Sequence, residues 1–138
     1  MTDVFTKQKR SEIMSRIRSK DTVAELIVFK YLRKQKIYFQ KHYMKVPGKP
    51  DIALPRRKRA VFIDGDFWHG RDYKRLLRTR PKGDYWIGKI KYNMLRDSKN
   101  RSSLKKNGWK ILEVWETDIK RKRSSAEALE KIAKFLKT

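Results

Sequence analysis

Two carboxylates, two large aromatic side chains and a histidine follow one apolar segment of the sequence. The segment is Val61 to Ile63, and the residues after it include Asp64, Asp66, Phe67, Trp68 and His69. A strand that only packs in a core has no reason to end in this way. Carboxylates can hold a divalent metal ion, and an imidazole with an ordinary pKa of about 6.5 can move a proton near neutral pH. The pattern is typical of a metal-dependent nuclease that also contacts the bases of its substrate.

A further carboxylate, Asp51, directly follows the turn-forming residues Pro47 to Pro50 and stands thirteen residues before Asp64. Adjacent strands joined by a tight turn bring two such residues side by side, which predicts a hard-oxygen site suited to Mg²⁺. The metal would polarise a phosphodiester and activate water. Two structural alternatives stay open: both acids only balance nearby Lys and Arg, or Asp51 helps to shape the turn.

His69 is predicted to be the histidine of this site, because His42 stands earlier, on a basic predicted strand. It could accept or donate a proton, and the alternative is a structural histidine. The sequence has two histidines and no cysteine, so an ordinary four-ligand structural zinc site is not expected.

Two further acids, Glu25 and Asp97, have structural explanations beside a catalytic one. Glu25 fits a capping box with Thr22 at the start of a predicted helix. Asp97 lies on the half-buried face of a later predicted helix, where an acid needs a partner. That partner is a histidine or a metal-bound water in one interpretation, and Arg101, four residues on, in the other.

The aromatic residues Phe67, Trp68 and Trp86 stand beside clustered positive charge. Core packing is the usual role of such residues. Aromatic side chains that leave a sheet next to acids can also wedge between base pairs, at a cost of roughly a few kcal/mol per step. Lys89 and Asn93, spaced i, i+4 on the helix of Trp86, could read base edges.

The composition points to a polyanionic partner. The 138 residues carry a formal net charge of +23, from 38 Lys and Arg against 15 Asp and Glu. Phosphate backbones are the commonest partners of such charge, and the alternative is a merely soluble basic protein. No apolar run approaches the ~18 residues of a membrane-spanning helix, and no signal peptide follows Met1. With no cysteine, the expected location is the cytoplasm.

Local patterns predict one α/β domain over 1–138 with a mixed central sheet covered by helices. Residues 55–59 are expected to form a basic turn, and residues 70–83 an irregular segment. The predicted elements are a weakly anchored basic helix in 1–20, a helix over 21–35, strands over 37–46, 51–54 and 60–63, a helix over 84–106, a strand over 109–115 and a last helix from Ser124 or Ser125.

Over about residues 3–136 the sequence resembles the very short patch repair endonucleases, bacterial nickases that cut beside T:G mismatches. The shared motifs are Asp-Thr-x-x-Glu at 21–25, Pro-Gly-x-Pro-Asp at 47–51, Gly-x-Phe-Trp-His at 65–69, Trp-x-x-Lys-Ile at 86–90, Arg-Asp at 96–97 and the Gly-Trp to Trp-Glu segment at 108–116. The resemblance implies a restriction-endonuclease-like fold and Mg²⁺-dependent hydrolysis of double-stranded DNA.

The resemblance also implies a role for individual residues. Asp51 matches the metal-binding aspartate, and Ile63 the position whose backbone carbonyl helps to hold metal. His69 matches the catalytic histidine, with Asp97 and Glu25 as supporting acids. The residues that match intercalating aromatics are Phe67, Trp68 and Trp86. Those that match contacts to the mismatched pair are Met14, Lys89 and Asn93.

The sequence departs from better-known members of the family in two places. Asp66 and Tyr73 stand where cysteines of a structural zinc site are expected, and Thr117 lies near another such place, so no structural zinc is expected. The loop would then need ion pairs from Asp66 or Asp72 to its arginines. Asp64 stands where such members have histidine, and it could add a metal ligand.

The resulting prediction is a Mg²⁺-dependent endonuclease that nicks one DNA strand 5′ of the thymine in a T:G mismatch. Asp51 with Asp64 or the Ile63 carbonyl would hold the metal, and a monomer would suffice for a one-strand cut. One alternative is a homing- or defence-type nuclease. Such nucleases usually depend on an extra recognition module, for which this chain is not expected to have room. Another is a DNA-binding module without catalysis.

Overall fold

The computed structural model describes residues 21–138, so Met14 and the predicted helix in 1–20 lie outside the described residues. Within 21–138 no helix is long and apolar enough to cross a membrane. The helices are α1 (Val23–Lys34), α2 (Tyr73–Thr79), α3 (Tyr85–Lys106), α4 (Glu116–Lys120) and α5 (Lys122–Lys137). The strands are β1 (Gln40–Lys41), β2 (Ile52–Leu54), β3 (Arg59–Asp64) and β4 (Lys110–Trp115).

The strands form one mixed sheet in the order β1-β2-β3-β4. β2 is antiparallel to both β1 and β3, and a short 3₁₀ turn at Pro55–Arg57 joins β2 to β3. β3 and β4 are parallel, with Ile63 opposite Val114. Parallel neighbours need a long crossover connection, and here that connection contains α2 and α3. The carboxyl end of β3 therefore leads directly into the segment that carries the aromatics and His69.

β3 is buried on both faces, as its near-continuous apolar sequence predicts. Val61 and Ile63 pack into a cluster with α1, α4 and α5 on one face of the sheet. Ala60 and Phe62 pack on the other face with Leu104 of α3. Side chains alternate between the faces of a strand, so Asp64, two residues after Phe62, belongs to the face that α3 covers.

The ends of α1 and α3 follow their predicted capping residues. At the start of α1 the Glu25 N–H donates to Thr22 Oγ1 (3.2 Å), and the Thr22 N–H donates to Glu25 Oε1 (3.0 Å). Asp84 caps α3 by accepting from the Trp86 N–H (2.9 Å). Gly108, at φ 86°, follows the end of α3 in the left-handed region, where glycine is favoured. These local signals fix where the helices begin relative to the sheet.

Three predictions of secondary structure are wrong. The predicted strand over 37–46 is reduced to Gln40–Lys41, and His42 ends it at φ 51°. The segment 70–83 is not irregular, since α2 forms there and packs on α3. The last helix begins at Lys122 and is not capped by Ser124, whose hydroxyl instead donates to the Asp118 carbonyl (2.8 Å) of the preceding short helix α4.

Candidate active site

A cavity of about 530 Å³ lies between the start of α1, the ends of β2 and β3, and the middle of α3. Every residue that the sequence predicts to be catalytic or metal-binding lines it. These residues are Glu25, Asp51, Ile63, Asp64, His69 and Asp97. The convergence confirms that the turn at 47–50 and the end of β3 bring Asp51 and Asp64 to the same place.

Asp51 and Glu25 form the first half of the site. Asp51 Oδ2 accepts a short hydrogen bond from the Ile63 N–H (2.6 Å), and the Glu25 side chain is only 2% exposed. Burial raises the pKa of the Asp51 carboxyl well above its ordinary value, and the neighbouring Glu25 carboxyl raises it further. Within residues 21–138 neither acid forms an ion pair with a lysine or arginine. Among the described residues no lysine or arginine balances the pair, so a shared proton or a metal cation would fit between its oxygens.

His42 joins this half of the site, although the sequence analysis placed His69 alone near the acids. That prediction is wrong, because one nitrogen of His42 and one oxygen each of Glu25 and Asp51 lie within 4.8 Å of one another. The sequence signal for His42 was the turn at 47–50, which joins β1 to β2. The antiparallel register of these strands pairs Lys41 with Ile52, so His42 falls opposite Asp51. The His42 N–H donates to the Asp51 carbonyl (2.9 Å).

Asp64 is balanced by a buried arginine. Both of its oxygens accept from the Arg101 guanidinium, Oδ2 from Nη1 (2.8 Å) and Oδ1 from Nη2 (2.7 Å). Arg101 also contacts Glu113 and lies 4.2 Å from the centre of the Phe62 ring. The arginine uses one lone pair of each Asp64 oxygen. The role of Asp64 as a metal ligand stays a prediction.

His69 and Asp97 form the second half of the site. His69 Nδ1 is hydrogen-bonded to Asp97 Oδ2 and lies 3.7 Å from Asp64 Oδ1. Burial alone would raise the pKa of Asp97, but the hydrogen bond with His69 and nearby positive charge outweigh it, and the pKa of Asp97 is lowered. Of the two partners predicted for Asp97, the structure gives His69. The ring nitrogen left for proton exchange is then Nε2.

The segment between β3 and α2 holds His69 in place through a close approach to α3. Gly70 has φ 77°, and a Cβ on it would lie 2.8 Å from Met94 Cγ. The Met94 side chain would have to shift to make room for it, and the left-handed φ itself favours glycine. The main chain can therefore press against α3 and bring His69 to Asp97 on the same helix.

Asp66 stabilises the same segment from outside the cavity. Its Oδ1 accepts from the Thr117 N–H (3.0 Å), and its Oδ2 pairs with Arg71 (3.0 Å), which also pairs with Asp118 (2.9 Å). Burial would raise the pKa of Asp66, but the Thr117 and Arg71 hydrogen bonds outweigh it and lower the pKa. The prediction that Asp66 uses ion pairs to support the loop is confirmed. Asp72 adds an exposed contact with Arg75 (3.5 Å).

Phe67, Trp68 and Trp86 form one aromatic cluster, of which Trp68 lines the cavity. Ring centres of Phe67 and Trp68 are 5.0 Å apart, and those of Trp68 and Trp86 are 5.4 Å apart. Phe67 is exposed and Trp68 half-buried, whereas Trp86 is only 6% exposed. Trp86 therefore supports the other two rings in this conformation and does not itself present a free face to a base stack.

The two predicted base-reading residues of α3 differ in their surroundings. Lys89 is half-buried, with Nζ 5.5 Å from the centre of the Tyr92 ring. Asn93 is buried, and its side-chain amide donates to the Trp68 carbonyl (3.0 Å). In this conformation Asn93 therefore holds the main chain of the aromatic segment. Contact of either residue with DNA stays a prediction.

A family model described as DNA mismatch endonuclease Vsr matches residues 2–75, which is more than half of the chain. A relative named DNA mismatch endonuclease Vsr, from Escherichia coli, is 32% identical over 130 residues, covering 94% of this chain and 83% of the relative. The chain belongs to the Vsr endonuclease family. It is therefore a DNA endonuclease with the restriction-endonuclease-like fold of that family.

Other Vsr-like relatives have names that describe nicking. A type II nicking enzyme, V.NmeAIP from Neisseria meningitidis, is 39% identical over 137 residues, covering 99% of this chain and 98% of the relative. Another, V.HpaIIP from Haemophilus parainfluenzae, is 38% identical over 119 residues, covering 85% and 84%. The match to V.NmeAIP spans nearly the whole chain and so includes the elements that build the cavity, from α1 through β4.

Proposed function

We propose that this Vsr-family endonuclease nicks one DNA strand 5′ of the thymine in a T:G mismatch and depends on Mg²⁺. The observation that supports it most is the convergence of Asp51, Glu25, His69 and Asp97 on one cavity beside an aromatic cluster. The names of the relatives add nicking and mismatches as the activities to test first. The proposed role is the first cut in very short patch repair.

In this proposal His69 exchanges the proton of the reaction through Nε2. Asp97 positions the ring through Nδ1 and stabilises the imidazolium when it forms, as a buried carboxylate does for a catalytic histidine. Asp64 lies near the same nitrogen but is neutralised by Arg101. We therefore assign Asp64 a positioning role rather than that of a ligand.

The residues at Asp51 fit a Mg²⁺ ion. Carboxylate and carbonyl oxygens are the ligands that Mg²⁺ prefers, and Asp51 with the Ile63 carbonyl would supply them. Glu25, held by its capping box, positions a second carboxylate beside Asp51. When bound, the ion polarises the phosphodiester and makes water a better nucleophile.

The aromatic cluster is proposed to wedge into the duplex at the mismatch. Phe67 is 39% exposed and contacts Trp68 and Trp86, and Trp68 lines the cavity, so apolar ring surface lies next to it. Unstacking costs roughly a few kcal/mol, and the cost is least at a mispaired base. Lys89 and, beyond the described residues, Met14 are proposed contacts to the mismatched pair. The large positive charge supplies phosphate contacts without sequence preference.

The test uses two duplexes that differ only in one base, so that one contains T:G and the other a matched pair. Each strand carries a different fluorescent label. We expect a nick in the thymine strand of the T:G duplex, with cleavage of the matched duplex at least about tenfold slower and none in EDTA. The nick should persist in dilute monomeric protein.

Three outcomes would contradict separate parts of the proposal. Equal cleavage of both duplexes removes the mismatch preference, and cutting of both strands removes nicking. Full activity of Asp51→Ala removes the metal assignment. Asp72→Ala is the matched control, because Asp72 is an exposed acid paired only with Arg75 among residues 21–138, and it should leave the rate unchanged.

A further inference from the structure

We propose that His42, Glu25 and Asp51 together form a divalent-cation site with one nitrogen and two carboxylate ligands. Such a site would take a first-row transition-metal ion such as Mn²⁺ more tightly than Mg²⁺. The inference rests on the proposed function only in using Asp51. It adds a ligand that the Mg²⁺ assignment does not require and that does not line the catalytic cavity.

The distances fit a metal ion. One His42 nitrogen and one oxygen each of Glu25 and Asp51 lie within 4.8 Å of one another. His42 Nδ1 lies 3.8 Å from Glu25 Oε2. Ligand atoms bound to one cation at about 2.1 Å are separated by roughly 3 to 4.2 Å, so small side-chain movements would complete the geometry.

The other side of the imidazole is already held by a carboxylate. His42 Nε2 is 3.1 Å from Asp21 Oδ1, and the ring edge rests on Phe29 with centres 5.6 Å apart. A histidine that binds metal through one nitrogen usually gives its other N–H to a carboxylate, which fixes the tautomer and the ring direction. Here Asp21 would keep the proton on Nε2 and leave the Nδ1 lone pair directed at Glu25.

The backbone adds an independent observation. Both His42, at φ 51°, and Asp21, at φ 55°, adopt the left-handed region, which Asp and His enter more readily than most other non-glycine residues. At His42 this conformation directs the imidazole of a strand-end residue at two acids of the active site.

The charge balance favours a cation over a purely structural contact. Glu25 is 2% exposed, and within residues 21–138 no lysine or arginine pairs with it or with Asp51. Glu25 Oε1 accepts from the Thr22 N–H, so Oε2 is the oxygen that faces His42. An imidazole ligand favours Mn²⁺ and later transition metals over Mg²⁺, which prefers oxygen alone.

The experiment measures Mn²⁺ on the full chain after removal of metal with EDTA. Pulsed electron paramagnetic resonance detects an imidazole nitrogen bound to Mn²⁺ through its ¹⁴N modulation. We expect that modulation in the unmodified protein, its loss in His42→Gln and its retention in His69→Gln. Glutamine can still reach Asp21 but supplies no Nδ1. Titration with Mn²⁺ should show affinity that is about tenfold or more weaker in His42→Gln than in the unmodified protein. The affinity for Mg²⁺, measured by competition with Mn²⁺, should change less.

The absence of imidazole modulation in the unmodified protein overturns the inference without reliance on any variant. Persistence of the modulation in His42→Gln, or unchanged Mn²⁺ affinity in that variant, also overturns it. Thermal unfolding of His42→Gln and His69→Gln shows whether both remain folded. The proposed function is judged separately by Mg²⁺-dependent nicking of the T:G duplex, which can succeed when Mn²⁺ shows no nitrogen ligand.

Discussion

The two histidine–carboxylate clusters on either side of the cavity balance their charge in different ways. At the β3–α3 side, Asp64 and Asp97 are accompanied by Arg101 and the His69 ring. At the α1–β2 side, Glu25 and Asp51 have His42 but, within residues 21–138, no arginine or lysine. Among the described residues, the acids of the first cluster have cationic partners. Those of the second have none there besides His42, so a proton or a cation from solution would balance them.

The comparison separates a carboxylate that an arginine fixes from one that lacks such a partner among residues 21–138. A buried carboxylate with a bidentate arginine is held in one position by two charge-assisted hydrogen bonds. Burial and a neighbouring acid instead raise the pKa of Asp51. In the proposed function, the arginine-balanced cluster would therefore position His69, and the arginine-free cluster would receive the divalent cation.

The largest expected effect is loss of nicking in Asp51→Asn. The amide can still accept from the Ile63 N–H but offers a much weaker metal ligand. We expect a decrease in nicking on the order of 10⁴-fold, measured by single-turnover cleavage of the T:G duplex. Asp72→Asn is the control. A decrease below tenfold would place the metal elsewhere and remove the distinction between the clusters.

The next largest effect is expected for stability in Arg101→Met. Removal of the guanidinium leaves Asp64 buried without its partner, which costs about 3–5 kcal/mol in the free energy of unfolding. Urea denaturation measures it, and adding Asp64→Asn should recover part of the loss. Arg96→Met, which removes a half-exposed contact with Asp97, should cost no more than about 1 kcal/mol. Equal losses in both variants would contradict the arginine-balanced description.

A smaller effect on nicking is expected in Asp97→Asn. The amide can no longer stabilise a protonated His69, so we expect a decrease of about 10²-fold near neutral pH. The pH–rate profile should shift as well if the carboxylate stabilises the protonated ring. A purely structural role of Asp97 would lower the rate without shifting the profile. The profile is measured from about pH 5 to about pH 9, a range that spans ordinary histidine titration. This measurement distinguishes the proton-stabilising role from the purely structural one. An unchanged profile would show that Asp97 only packs against the ring.

The smallest effect is a stabilisation of the metal-free protein by Asp51→Asn. The raised pKa means that between its ordinary and folded values the folded state holds a proton that the unfolded state has lost. Stability therefore falls as pH rises through that window. The amide of Asp51→Asn does not ionise, so the variant avoids this loss of stability. We expect its free energy of unfolding to be about 1 kcal/mol larger than that of the unmodified protein at neutral pH in EDTA. Asp64→Asn should instead lower the free energy of unfolding. A change in the same direction in both variants would contradict the comparison between the two clusters.

Elements with strong local signals could be predicted from the sequence. The capping residues Thr22 and Asp84 and the apolar run of β3 placed α1, α3 and the central strand correctly. Helix α2 could not be predicted, because its sequence is basic and its only buried residue is Leu76. It is held by packing on α3, which is a tertiary contact without a local pattern.

The candidate site was predictable where the chain itself brings residues together, and not where distant elements meet. Asp51 and Asp64 are linked by one turn and two short strands, and their convergence was foreseen. Arg101 was considered only as a partner of Asp97 on its own helix, yet it reaches Asp64 on β3. The alternation of Phe62 and Asp64 toward the covered face was the available signal. The hydrogen bond from Asn93 to the Trp68 main-chain carbonyl had no sequence signal, because a carbonyl partner carries no residue type.

The turn at 47–50 has a consequence for insertions and deletions in this protein. It sets which residue of β1 lies opposite Asp51, and Gly48 is packed so tightly that a Cβ would lie 3.2 Å from Phe62. Adding or removing one residue would shift the pairing, and a shift of one residue reverses every side chain of β1. The imidazole of His42 would then face away from the acids. The length of the turn is therefore constrained by the position that His42 must take.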